Sequence, residues 1–214
     1  MAVRETIVSL SVLAALSLGQ AQSRAQGVID DWNSVNTPAA PALKPIVVDP
    51  RTTALLLFDF TTQTCSPDRR PRCAASVPRL KKLLDDARSH GMYVMYSVAI
   101  AGTGRTDILS DIKSADSEPV LPPLGPDKFI NSDLEKTLKD RGIITLILTG
   151  TAAQTTVLHT GGEAALRGFK VIVPVDAMSS NDAFPELYTA WHLANSARIM
   201  DATTLTAVNM ISYK

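Results

Sequence analysis

Residues 145–180 read TLILTGTAAQTTVLHTGGEAALRGFKVIVPVDAMSS. IITLILTG (143–150) is a continuous apolar run, the pattern of a strand buried on both faces of a parallel sheet. AAQTTVLHTGGEAALRG (152–168) has helical composition and stops at Gly168. KVIVPVDAM (170–178) returns as a second buried strand that ends in an acid. A strand, a crossover helix and a further strand are the repeating unit of a parallel sheet.

The same alternation extends upstream. TALLLFDF (53–60) is another apolar run closed by an acid. SVPRLKKLLDDARSHG (76–91) follows, with Val77, Leu80, Leu83, Leu84 and Ala87 at helical spacing. Ser76 is placed to cap this helix, Pro78 falls in its first turn and Gly91 ends it. MYVMYSVAI (92–100) predicts the next strand, and 101–127 a long loop. SDLEKTLKDRG (132–142) predicts a helix with Ser132 as N-cap and Glu135 at the capping-box position. A helix over about 184–197 and a short strand near 203–208 complete the series. The expected fold is a doubly wound α/β domain over 51–214, with a mostly parallel sheet in a Rossmann-like three-layer α/β/α arrangement. Residues 26–50, with Pro38, Pro41, Pro45 and Pro50, predict an extended arm.

Composition narrows the function classes. The 214 residues carry 21 basic and 21 acidic side chains, without the Lys/Arg excess of a nucleic-acid-binding surface. At 45% hydrophobic the chain has a core to bury, so it is not a disordered polymer. Arg4 precedes an apolar run of about 14 residues, the length of a secretory h-region and short of a membrane span. Small residues fit cleavage after Ala25 (Ser23 and Ala25) or after Ala21 (Gly19 and Ala21), and 1–25 are expected to be a signal peptide. A periplasmic or secreted protein with no stable membrane insertion after cleavage follows. The two cysteines, Cys65 and Cys73, flank a Pro- and Arg-rich segment. In an oxidising compartment they can close a short surface loop as a disulfide, with two free thiols as the alternative.

In open α/β sheets functional groups gather beyond the carboxyl ends of the strands. Asp59 ends the first strand, where a charge is costly unless paired or used; capping the next turn is its bland role. The turn after Gly150 aims backbone N–H groups and a positive helix end at one point, an oxyanion site near Ala152, Gln154 and Thr156. Thr155 and Thr156 otherwise merely cap and pack. Lys128, in GPDKF just before a helix, reads by itself as an ordinary surface lysine. Asp176 at the end of its strand suits a structural hydrogen bond. Phe60, Phe129, Tyr188 and Trp191 are candidate pocket walls, although such residues more often form core than touch a ligand. Arg105, in the loop after the second strand, is placed to meet an anionic substrate or simply to face solvent. Gly161 and Gly162 inside a helix imply close helix packing, within the chain or across a subunit interface.

Taken in order, TTALLLFDF, GPDKF with SDLEKTLKDRGI, and the 145–180 stretch resemble the isochorismatase-like hydrolase superfamily, often called cysteine hydrolases, over about residues 50–210. The resemblance implies a small-molecule substrate, a homo-oligomer, and a catalytic Asp, Lys and Cys. The Asp falls on Asp59 and the Lys on Lys128. The cysteine position, six residues after the glycine that ends the third strand, falls on Thr156. A threonine hydroxyl is far less acidic than a thiol, and its β-methyl restricts the rotamer. The resemblance also covers isochorismatases proper, which lack the cysteine and cleave a vinyl ether with the Asp as acid. Metal-using members carry an Asp-x-His and a further His after the second strand. VAIAGTGRTDIL has no histidine there, so neither a metal nor another cofactor is expected.

Three functions stay open. The first is a hydrolase without a cysteine nucleophile, with Asp59 as general acid/base, Lys128 stabilising charge and backbone amides near Ala152 and Thr156 holding an oxyanion. The second is an amidohydrolase with Thr156 as covalent nucleophile. The third is an exported, catalytically silent protein that binds small molecules in the same pocket.

Overall fold

The computed structural model describes residues 27–214. The expected signal peptide, 1–25, lies outside the described residues. The chain divides after Thr37. The described part of the first unit holds one short helix, α1 (Val28–Asp31).

The second unit, Pro38–Lys214, contains β1 (Ile46–Val48), β2 (Thr53–Phe58), α2 (Pro71–Ser89), β3 (Tyr93–Ser97) and β4 (Val120–Leu121). Then come α3 (Leu134–Asp140), β5 (Thr145–Thr151), a π-helical turn (Ala153–Val157), α4 (Leu158–Leu166) and β6 (Lys170–Pro174). The unit closes with β7 (Met178–Ser179), α5 (Ala183–Asn195), β8 (Thr203–Thr206) and β9 (Ile211–Tyr213). The main sheet runs β4-β3-β2-β5-β6-β8, every pair parallel, with β7 added beside β5. This is the doubly wound α/β sheet expected from the alternation. Residues 38–50, read as arm, belong to this unit. The Lys44 amide donates to the Leu205 carbonyl, and β1 pairs with β9 as a separate two-stranded sheet.

All six residues of β2 are buried, because helices cover both faces of the sheet. Leu56 and Phe58 pack with Leu148, Val171 and Leu193 on one face. Leu55 and Leu57 pack with Leu80, Leu83 and Leu84 of α2 on the other. The period of two along a strand divides one apolar run between two cores.

Helix boundaries shifted where local chemistry competed with packing. α2 begins at Pro71 rather than Ser76, and Pro78 lies inside it. Proline has no N–H to offer, but Val77, Leu80, Leu83, Leu84 and Ala87 are buried along one face and hold the helix through the gap. The Ser76 hydroxyl caps nothing; it donates to the Cys73 carbonyl within the helix, at 2.8 Å. Ser132 precedes the N-cap Asp133, and Glu135 pairs with Lys139 and Arg167 instead of closing a capping box. Gly161 and Gly162 meet intramolecular neighbours: Leu148 and Leu193 for the first, Ile199 for the second.

Gly150 sits where β5 passes β2. A Cβ there would lie 3.0 Å from the Phe58 Cβ and 3.0 Å from a Val157 methyl. Gly150→Ala is expected to cost about 1–3 kcal/mol by overpacking, read by urea unfolding. A change inside about 0.5 kcal/mol would show that the contact yields freely.

Candidate active site

The strand order reverses between β2 and β5: β3 and β4 lie outward of β2, and β6 and β8 outward of β5. Such a switch point opens a crevice beyond the carboxyl ends of the two strands. Phe58 is register partner to Gly150, so the residues that follow each emerge side by side. Asp59 turns out of β2 with φ +65°, a left-handed conformation that Asp tolerates better than most residues. Its amide donates to the Ser97 carbonyl, and its own carbonyl accepts from Thr61 N and the Thr64 hydroxyl.

Asp59 is 1% exposed and its carboxyl is surrounded by donors. Ser97 Oγ donates to Oδ1 at 2.6 Å. Thr156 Oγ1 donates to Oδ2 at 2.9 Å. Lys128 Nζ lies 3.1 Å from the same Oδ2. Lys128, read in isolation as a surface lysine, is 1% exposed. Its backbone is fixed on both sides, the amide donating to Thr160 Oγ1 at 3.1 Å and the carbonyl accepting from Ser132 Oγ at 2.5 Å. The Thr160 hydroxyl in turn donates to the Pro126 carbonyl. A buried ion pair needs such added hydrogen bonds to offset desolvation.

Above this cluster lies a cavity of about 400 Å³, the size of a site for a small organic molecule. Asp59, Lys128, Thr156, Ala152 and Gln154 line it, together with Thr64, Arg70 and Thr151. The Ala152 amide has no hydrogen-bond partner among the described residues and remains a candidate oxyanion donor. The Thr156 amide does not, because it donates to the Ala152 carbonyl at 3.1 Å. Gln154 is steadied by Ser180, whose hydroxyl donates to its side-chain carbonyl at 2.7 Å.

Three expected contacts are corrected. Phe60 is 1% exposed in the α2-side core, since the residue after the Asp59 turn points to the opposite face. Phe129 packs in the other core, stacked on Phe169 at 5.9 Å between centroids. Arg105 is occupied by its own loop: Nη1 donates to Ser114 Oγ and the Ala115 carbonyl, and Nη2 to the Glu118 carbonyl. None of the three lines the cavity. Tyr188 and Trp191 are also outside it, half-exposed on α5. Asp176 has its structural role, accepting from Val208 N at 3.0 Å and facing Arg79.

Two residues escaped the sequence reading. Ser97 ends β3, where its burial between apolar neighbours was the available signal. Arg70 lies in PDRRPR, which reads as a solvated basic run. Near it, Cys65 and Cys73 form a disulfide whose two cysteines are 2% and 0% exposed, so the bridge is core rather than surface. These are the chain's only cysteines, and neither is a free thiol.

Comparison with known proteins shows the family and the fold. The isochorismatase domain model matches residues 53–204. The chain is 28% identical over 156 residues to the uncharacterized isochorismatase family protein YwoC of Bacillus subtilis, covering 62% of this chain and 80% of that protein. It is 26% identical over 117 residues to the secreted isochorismatase effector Isc1 of Verticillium dahliae, covering 50% of this chain and 62% of that one. Among solved structures, an isochorismatase family protein of Desulfovibrio vulgaris superposes with TM-score 0.66 at 22% identity, over 74% of this chain and 95% of that one. Nicotinamidase/pyrazinamidase PncA of Bacillus subtilis superposes with TM-score 0.64 at 19% identity, over 72% and 99%. The matched domain takes in Asp59, Lys128 and Thr156 together, and the chain belongs to the isochorismatase-like hydrolase family.

Proposed function

We propose that the protein is an exported hydrolase of small organic molecules that works through Asp59 as general acid/base, without a cysteine nucleophile. One observation carries this reading: Asp59 Oδ2 is shared by the Thr156 hydroxyl and Lys128 at the floor of the cavity. Every group around the carboxyl donates to it, which is the arrangement of a base. Asp59 takes a proton as water adds to the carbonyl carbon of an amide or ester, then returns it to the departing nitrogen or oxygen. Lys128 balances the charge on Asp59 before the proton is taken and after it is returned. The Ala152 amide faces the oxyanion that forms. Vinyl ether cleavage begins with a proton already on the acid, so amides and esters suit the observed hydrogen bonds better.

The 2.9 Å contact from Thr156 to Asp59 also favours a second reading, with the threonine oxygen as nucleophile and Asp59 as its base. Thr156→Ala separates the two. Water attack predicts a loss of about tenfold or less, since only a hydrogen bond to Asp59 is removed. A covalent mechanism predicts loss of all turnover and of the acyl adduct seen by intact-protein mass spectrometry. A screen of amides, small esters and vinyl ethers supplies the substrate. Ligand binding without turnover of any compound would favour the silent binding protein instead.

Export is supported by the disulfide, which suits an oxidising compartment, and by similarity to a secreted relative. N-terminal sequencing of the secreted or periplasmic protein tests it, with cleavage after Ala25 as the expected result.

A further inference from the structure

Arg70 lines the same cavity as Asp59, Lys128 and Thr156. It is half-buried, and its guanidinium is held in place. Nε donates to Asn181 Oδ1 at 2.9 Å, and Nη1 donates to Thr151 Oγ1 at 2.7 Å. Thr151 ends β5 and leads directly into the turn that carries Thr156, so Arg70 is anchored on the catalytic loop itself. Its backbone is equally fixed. The amide donates to the Ser66 carbonyl at 2.8 Å, and its carbonyl accepts from Cys73 N at 3.0 Å and Ala74 N at 3.2 Å. The Cys65–Cys73 bridge closes the chain around this segment.

Arg70 brings to the cavity a charge that no acid among the described residues matches. Arg51, Arg72, Arg79, Arg88 and Arg167 each face an acid, whereas Arg105 shares with Arg70 a set of neutral acceptors but lies outside the cavity. Both acceptors of Arg70 are neutral, and it pairs with no carboxylate among the described residues. Lys128, the other cation of the cavity, is matched by Asp59. Partial burial, and then Arg69 beside it, push the Arg70 guanidinium below its ordinary proton affinity, the direction expected of a cation lacking its counter-charge. Nη2 has no protein partner among the described residues and Nη1 keeps a second N–H, so the Nη1–Nη2 edge of the planar fork has donors to spare. That edge matches the two oxygens of a carboxylate.

We infer that the cavity selects a small organic substrate bearing a carboxylate, and that Arg70 is the specificity-determining residue that binds it. The inference rests on the cavity being the substrate site, and it takes over the anion-binding role that the sequence suggested for Arg105.

The test compares acids with their own amides, so that shape is held constant and only charge changes. Benzoate against benzamide and pyruvate against pyruvamide are titrated calorimetrically into the full-length mature protein. The wild type is expected to bind at least one acid about 10–100-fold more tightly than its amide, the range of a charge-assisted bidentate contact. Arg70→Gln removes that preference, Arg70→Lys restores part of it, and Arg69→Gln, at an exposed neighbour, leaves it intact. With a turned-over acid, Arg70→Gln raises KM more than it lowers kcat. Acids that bind no better than amides overturn the inference. So does a preference that survives both Arg70→Gln and Arg70→Lys, which would place the anion on Lys128. Binding is read without turnover: a protein that captures acids through Arg70 but hydrolyses nothing defeats only the hydrolase reading. An active enzyme indifferent to charge defeats only this one.

Discussion

Replacing Asp59 with asparagine is expected to lower turnover by about 10²–10⁴-fold, the usual contribution of a positioned acid/base. Asparagine keeps the shape and still accepts from Ser97 or Thr156, so the hydrogen-bonded floor of the cavity survives in outline. What it loses is the ability to take and return a proton. Both catalytic readings pass through this carboxylate, as base toward water or toward the Thr156 hydroxyl, and both predict the same loss. kcat/KM on the fastest amide or ester checks it, with a thermal melt to show that the variant is folded. Undiminished turnover would remove Asp59 from the mechanism altogether.

The second large effect is on stability. Lys128→Met is expected to destabilise the fold by about 3–5 kcal/mol, because Asp59 is left charged and buried without its partner. Both members of the pair are 1% exposed, so water cannot take over the lost contact. The double variant Asp59→Asn/Lys128→Met should recover part of the loss, since it leaves no unpaired charge. A double-mutant cycle by urea denaturation measures that coupling. A single variant within about 1 kcal/mol of wild type would mean the pair is solvated in solution, as exposed pairs are.

These two residues differ in how far the sequence revealed them. Asp59 stood out because an acid closing a wholly apolar strand is a local anomaly. Lys128 carried no such mark: GPDKF looks like solvent-exposed loop, and only the family resemblance gave it a role. Its burial depends on Thr160 and Ser132 gripping its backbone, contacts made by α4 and the approach to α3. The helix errors have a related cause. Pro78 and Ser76 gave a start signal for α2 five residues late, since side-chain burial along the helix outweighed a missing N–H.

The sequence by itself determined the strand order in time, the apolar runs that must be buried, and the positions of Asp59 and Thr156 just beyond two strand ends. Those features follow from short-range periodicity and from turn chemistry, which act over a few residues. Tertiary structure alone decided which side chains converge. Pairing β2 with β5 set Asp59 beside the Thr151–Thr156 turn, and adding β3 brought in Ser97. Packing sent Phe60 and Phe129 into opposite cores, gave Arg105 to its own loop, and fixed Arg70 at the cavity wall across 81 residues from Thr151. Direction and partner of a long side chain are settled by what the folded chain places around it, and no local pattern encodes that.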